Sequence, residues 1–192
     1  SLFHRGPDEE GSIVLAEAAL GMRRLAIVDL SGGQQPFANE DATIQVVTNG
    51  EIYNFEDVKR ELIAHGHAFH TRSDIEIVAH GYEQWGEGFV SRLRGMFAIA
   101  LWDGRTRTLI AARDRAGEKP LYYAHTRKGL VLASELKALL TRPDVPRELD
   151  PEALDQFLTY EYVISPRTIL KGVRRLPAAH YLRYRDGELT VH

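Results

Sequence analysis

The stretch Thr48-Asn49-Gly50-Glu51-Ile52-Tyr53-Asn54 follows an apolar run, Ile44 to Val47, and precedes a segment with helical periodicity. Chemistry on a side-chain amide needs hydrogen-bond donors aimed at the oxyanion that develops, and an Asn side chain beside the N–H of a flexible Gly can supply two. Asn49 and Gly50 have that chemistry. The same dipeptide also reads as a plain turn, because Asn-Gly after a strand is a common turn signal. A free amino acid held at such a place needs a cation for its α-carboxylate, for which the planar Arg fork is suited, and an anion for its α-ammonium. Arg24 and Asp74 are the candidates. Arg24 opens the run Arg24 to Asp29, at a strand entrance where a charge stays wet, and a locally paired surface Arg is the alternative. Asp74 falls in the first turn of a predicted helix, where the macrodipole favours an acid without any ligand.

The elements that must position these residues follow from periodicity. Strand character appears at Ile13 to Leu15, Leu25 to Val28, Ile44 to Val47, Met96 to Trp102, Thr108 to Ala112, Leu121 to Tyr123, Leu130 to Ala133 and Tyr181 to Tyr184. Asp103-Gly104, Lys128-Gly129 and Asp186-Gly187 are turn signals between such runs, which implies antiparallel sheet and disfavours a parallel doubly wound fold. Helical spacing follows Asn54 (Phe55, Val58, Leu62, Ile63) and Ser73 (Ile75, Val78, Ala79, Tyr82, Trp85). Ser73-Asp74-Ile75-Glu76 has the pattern of a capping box, which starts the second helix at Ser73. Two further helices are expected over Ser134 to Leu140 and from Asp150, an N-cap followed by Pro151 at the first helical position. Thr141 to Leu149, with Pro143 and Pro146, reads as a loop.

Composition narrows the classes. The chain has 192 residues, 44% hydrophobic and 27% charged, as one globular domain over 1–192 would. A net charge of -3 leaves no basic excess to follow a phosphate backbone, so nucleic acid is not an expected partner. No run reaches the roughly 20 apolar residues of a membrane span, and the first residues lack the apolar core of a signal peptide, so a cytoplasmic protein with no membrane partner is expected. The sequence holds no cysteine, which excludes disulfides and thiolate metal sites. His65-Gly66-His67-Ala68-Phe69-His70 places three imidazoles within six residues. The preference of His for helix ends accounts for them, and no metal is expected.

Taken in order, His4-Arg5-Gly6-Pro7-Asp8, Arg24 to Asp29, Asn49 to Asn54, Ser73-Asp74, Arg94 to Ala98, Arg113 to Tyr122 and Ala133 to Leu139 resemble the glutaminase domain of asparagine synthetases, a class II amidotransferase. The resemblance implies an α+β fold, the four-layer αββα sandwich of two antiparallel sheets of N-terminal-nucleophile hydrolases. It implies that Arg24 holds the glutamine carboxylate, that Asn49 and Gly50 form the oxyanion hole, and that Glu51 and Asp74 surround the substrate ammonium. His4 to Asp8 looks structural. No cofactor is implied for this domain, whereas ATP and Mg would serve a C-terminal synthetase domain that makes asparagine from aspartate. In the family a cysteine nucleophile, a first strand and a helix precede the His-Arg-Gly-Pro-Asp motif, and all three are expected to be missing here, with Ser1 a boundary rather than a nucleophile. A sheet without its first strand would expose an edge, for which a homodimer is one outcome. Ser31-Gly32-Gly33-Gln34-Gln35 is expected to be a surface loop and not a phosphate loop. The alternative function is a non-catalytic glutamine-binding or scaffold domain of a related enzyme acting on another carboxylate.

Overall fold

The computed structural model describes residues 2–24 and 34–192, apart from the side chains of Arg5 and Arg24. In chain order the elements are β1 (Glu9–Val14), β2 (Ala19–Arg24), β3 (Phe37–Ala38), β4 (Ile44–Ile52), α1 (Phe55–Ala64), α2 (Glu76–Trp85), α3 (Phe89–Arg92), β5 (Gly95–Asp103), β6 (Thr108–Arg113), β7 (Tyr122–Thr126), β8 (Gly129–Ala133), α4 (Leu136–Leu139), α5 (Pro151–Tyr160), β9 (Val173–Arg175), β10 (Tyr181–Arg185) and β11 (Glu188–Val191). The expected strand Leu25 to Val28 lies outside the described residues.

All described strand pairs are antiparallel. Six strands form one sheet in the order β11-β10-β6-β5-β4-β3, β8-β7-β9 form a second, and β1-β2 pair as a hairpin. Because successive side chains on a strand point to opposite faces, the central strands of the large sheet feed two cores. Phe97, Ile99 and Leu101 of β5 and Ile110 and Ala112 of β6 pack with Val58 and Leu62 of α1 and Ile77 and Val78 of α2. The alternate residues Ala98 and Ala111 meet Tyr123 of β7 and, at its rim, Leu132 of β8. Trp102 and Leu109 meet Leu20 of β2, which places the β1-β2 hairpin on that same inner face. On the far side of the small sheet, Ala124 and Val173 pack with Leu139 of α4 and Val145. The layers are therefore helices, large sheet, small sheet with hairpin, and a helix-and-loop cover, the αββα sandwich expected.

The hairpin turns fall where the dipeptides placed them. Asp103 Oδ1 accepts from the Arg105 and Thr106 N–H groups at 2.8 and 3.4 Å, closing the β5-β6 turn. Asp186 and Gly187 take positive φ angles of 50° and 85° between β10 and β11, as a two-residue hairpin requires. Asp150 caps α5 by accepting from the N–H groups of Glu152 and Ala153.

One cap differs from expectation. Helix α2 begins at Glu76, not Ser73, and Glu76 does not reach back to Ser73. Its buried carboxylate instead accepts from the His70 N–H at 2.8 Å and from Thr71 N–H and Oγ1 at 2.9 and 2.7 Å, so it ties down the preceding loop. Asp74 consequently stands in a turn before the helix.

Candidate functional site

Strand β4 carries the site. Asn49-Gly50 is not a turn: both residues are ladder partners of β5, Asn49 opposite Ala98 and Gly50 opposite Phe97. The glycine serves close approach instead. Gly50 has φ +143°, and a Cβ there would sit 1.9 Å from the Met96 carbonyl oxygen. Across the pair, Gly95 has φ +155° and a Cβ would lie 2.2 Å from the Glu51 carbonyl oxygen. Two glycines thus let β4 and β5 touch backbone to backbone at this end.

Hydrogen-bond direction follows from the register. In an antiparallel ladder, alternate residues of a strand point their N–H and C=O groups to opposite neighbours. The Phe97 N–H donates to Asp114 Oδ2 and its carbonyl accepts from the Asp114 N–H, so both groups of Phe97 face away from Gly50. Even-numbered positions of β4 therefore address the other edge. There, Phe37 and Ala38 of β3 pair with Val46 and Gln45, and the two-residue ladder ends before it reaches Thr48. The buried Gln35 side chain substitutes for it. Its Oε1 accepts from the Thr48 N–H at 2.6 Å and its Nε2 donates to the Thr48 carbonyl at 3.0 Å. Two positions further from Gly50 along the strand, Asp74 Oδ2 accepts from the Ile52 N–H at 2.7 Å. Gly50 lies between these two side-chain caps, with its N–H directed to the same edge.

A cavity of about 650 Å³ opens between the layers at this point. Asn49, Gly50, Glu51 and Asp74 all line it, together with Lys119 and Ser134. Asp74 is buried and Glu51 is exposed. Arg24 is the final residue of β2, so a described strand runs into it rather than beginning at it, and its side chain lies outside the described residues. Its neighbour Arg23 lines the cavity and donates from Nε to the Gly6 carbonyl at 3.1 Å while pairing with Glu10.

The loop from Arg113 to Lys119 brings Lys119 to the cavity. Burial pushes the Asp114 carboxyl up, but the N–H groups of Lys119, Glu118, Phe97 and Gly117 outweigh it and hold the group below its ordinary value. Arg113 in turn donates from Nε to the Lys119 carbonyl at 2.6 Å, from a terminal nitrogen to Leu176 at 2.8 Å, and to the Gly117 carbonyl. This pair of buried charges satisfies backbone groups and so places Lys119 at the cavity. Near the N-terminus, His4 Nε2 meets Glu135 Oε1 at 3.0 Å beside Lys137, an exposed contact that ties this segment to the residue before α4.

Gln35, Lys119 and Ser134 lie within the sequence motifs, but the motifs assign them no role at the site, because each reaches the cavity through tertiary packing. Gln35 corrects the surface-loop expectation, since it is buried, while Ser31 to Gly33 lie outside the described residues.

Residues 1–192 match the Glutamine amidotransferase domain family. The chain belongs to it. Asparagine synthetase [glutamine-hydrolyzing] 2 of Bacillus subtilis (strain 168) is 42% identical over 187 residues, 95% of this chain and 25% of that protein. Asparagine synthetase [glutamine-hydrolyzing] 3 of the same organism is 39% identical over 194 residues, 100% of this chain and 32% of that protein. The amidotransferase domain thus spans about a quarter to a third of the length of the curated relatives it matches. Among solved structures, glutamine phosphoribosylpyrophosphate amidotransferase from B. subtilis in complex with ADP and GMP superposes with a TM-score of 0.61 at 22% identity, covering 91% of this chain and 34% of that one. That likeness places the domain in the fold of such amidotransferases. Among the described residues no helix is long and apolar enough to cross a membrane.

Proposed function

We propose that this domain is the glutamine-hydrolysing part of a larger, cytoplasmic amidotransferase, and that glutamine occupies the cavity beside the end of β4. The observation that carries the reading is the edge of that strand. Side chains cap Thr48 and Ile52, and the Gly50 N–H between them points to the edge beside the cavity that Asn49 lines. When a nucleophile adds to the side-chain carbonyl of glutamine, the C=O electrons move to oxygen, and the Gly50 N–H with the Asn49 amide stabilises that oxyanion. Collapse of the intermediate expels ammonia, and water then releases glutamate. Asp74 and Glu51 supply the negative charge that meets the substrate ammonium, and Arg24 the cation for its carboxylate. The 192 residues include no cysteine, and the nucleophile is not assigned among them.

The relatives support a second domain that consumes the ammonia, and ATP with Mg belongs to that domain's chemistry, aspartate to asparagine being the leading reaction. Helix α5 and the residues after it support a docking face for it. Phe157, Leu158, Tyr160, Tyr162 and Ile164 are all exposed there.

Steady-state kinetics of the full-length protein test the assignment. Asn49→Ala should lower kcat for ammonia release from glutamine by about 10² to 10³ with little change in KM, because it removes a donor needed only as charge develops. Arg24→Ala should chiefly raise KM, since its contact is made in ground and transition states alike. Both variants should retain synthesis from ammonium. Wild-type kcat in Asn49→Ala, or an unchanged KM in Arg24→Ala, refutes the reading.

A further inference from the structure

On the helical side of the large sheet, a second group of polar residues converges from three separate segments. Glu40 lies in the β3-β4 turn, His67 in the loop after α1, and His80 and Glu83 one turn apart on α2. One ligating atom from each lies within 4.8 Å of all the others. His80 is the informative member: it is 1% exposed, and neither ring nitrogen has a hydrogen-bond partner. Burying an imidazole with both nitrogens unsatisfied is costly, so a native cluster of this kind calls for an occupant.

We propose that Glu40, His67, His80 and Glu83 hold a divalent transition-metal ion of the zinc class, which staples the β3-β4 turn and the loop after α1 to helix α2. Two imidazoles with two carboxylates suit zinc, cobalt or nickel, whereas magnesium and calcium prefer oxygen alone. The ring nitrogens divide as a metal site requires. The Nδ1 atoms of His67 and His80 face Glu40 at 3.5 and 3.2 Å, while His67 Nε2 contacts Gln84 Oε1 at 3.2 Å and His80 Nε2 faces Glu76 Oε1 at 3.9 Å. For His67 the Gln84 oxygen on the far nitrogen fixes the tautomer and orients the ligating one. The carboxylates are oriented too. The Ala68 N–H donates to Glu40 Oε1 at 3.2 Å, and Glu83 accepts from Asn39 Nδ2 at 3.1 Å and Arg105 at 3.3 Å. Tetrahedral ligand atoms about 2.1 Å from a zinc ion stand roughly 3.4 Å apart, so small side-chain rotations close the cluster. Four protein ligands around a buried imidazole describe a closed, structural site rather than a catalytic one with an open position. A bare ion pair with Glu40 does not account for His80, because the Nδ1 contact lacks hydrogen-bond geometry as it stands.

The test uses cobalt as a spectroscopic probe for the zinc position. The EDTA-stripped chain should bind one equivalent of Co²⁺ with the visible bands of tetrahedral coordination, zinc should displace it, and zinc should raise the melting temperature reversibly. Glu40→Gln and His67→Ala change ligands at the exposed side of the cluster and should weaken binding by about 100-fold or more, since even outer partners of metal ligands are worth 10- to 100-fold. His65→Ala and His70→Ala, in the same histidine string, should leave binding and melting unchanged. Absence of a one-to-one complex overturns the proposal. Wild-type affinity in His67→Ala or Glu40→Gln overturns it as well, as does loss of binding in His65→Ala or His70→Ala. Circular dichroism of each apo variant separates lost ligands from lost fold.

Discussion

Replacing Gly50 by Ala tests whether the site strand depends on backbone contact with β5. The added Cβ would stand 1.9 Å from the Met96 carbonyl oxygen and 2.8 Å from Phe97 Cα. An ordinary contact is about 3.5 Å, so the strands must part by about 1.6 Å or twist apart. A side chain held at positive φ costs about 1–3 kcal/mol, and a forced backbone shift in a packed region about 1–3 kcal/mol more. The loss of unfolded-chain entropy on Gly→Ala offsets about 0.4–1 kcal/mol. The net cost is about 2–5 kcal/mol, a large share of the 5–15 kcal/mol typical of a domain. At a urea dependence of about 2 kcal/mol per molar, the midpoint should fall by about 1–2.5 M. Gly66 supplies the control, because its φ is also positive at +98° but nothing lies within 4 Å of an added Cβ. Gly66→Ala carries the conformational strain without the collision, and should shift the midpoint by about 1 M or less. If the two variants unfold within about 0.5 kcal/mol of each other, the close approach of β4 to β5 is not what demands glycine at position 50.

Two further perturbations address the loop from Arg113 to Lys119 and the outer face. Asp114→Asn turns an amide NH₂ toward N–H donors and should destabilise the domain at pH 7 by about 2 kcal/mol or more. Because the folded state lowers the Asp114 pKa, the carboxylate's contribution is complete above its ordinary 3.8 and is lost as pH falls through the folded value. The gap between wild type and variant in urea midpoint should therefore narrow in that acid window, and a gap independent of pH would contradict this account. On α5, Phe157 and Leu158 are 49% and 75% exposed. Phe157→Ser with Leu158→Ser should reduce hydrophobic-dye binding by the isolated chain while changing stability by only about 0.5 kcal/mol, and unchanged dye fluorescence would show that this face is not a sticky docking surface.

What could be read in the sequence was what is decided locally. Asp186-Gly187 makes its turn from its own backbone preferences, and Asp150-Pro151 starts α5 with its own side chain and ring. Asn49-Gly50 misleads for the same reason: its local preference is a turn, and only the nonlocal partner Phe97 makes it strand. Ser73 to Glu76 has the letters of a capping box, but His70 and Thr71, brought close by the loop, capture the glutamate. Strand β9 is three residues, Val173-Arg174-Arg175, too short for an alternation to show, and it exists because β7 offers an edge. His80 shares its helix face with Glu76 and Glu83, which reads as the polar side of an amphipathic helix, and its companions Glu40 and His67 come from elsewhere in the chain.

The Gln35 amide has a consequence for how the strand finds its alignment. Ladder β3 is only two residues long, and a short ladder discriminates poorly against sliding. Strand β4 is itself held by nine residues paired with β5, so a slip at this edge would displace β3 and the segment before it. The two bonds of Gln35 to Thr48 come from one planar group, so they form together or fail together. The side chain thus acts as an alignment pin for the short edge strand, holding β3 in step with β4 beside the cavity.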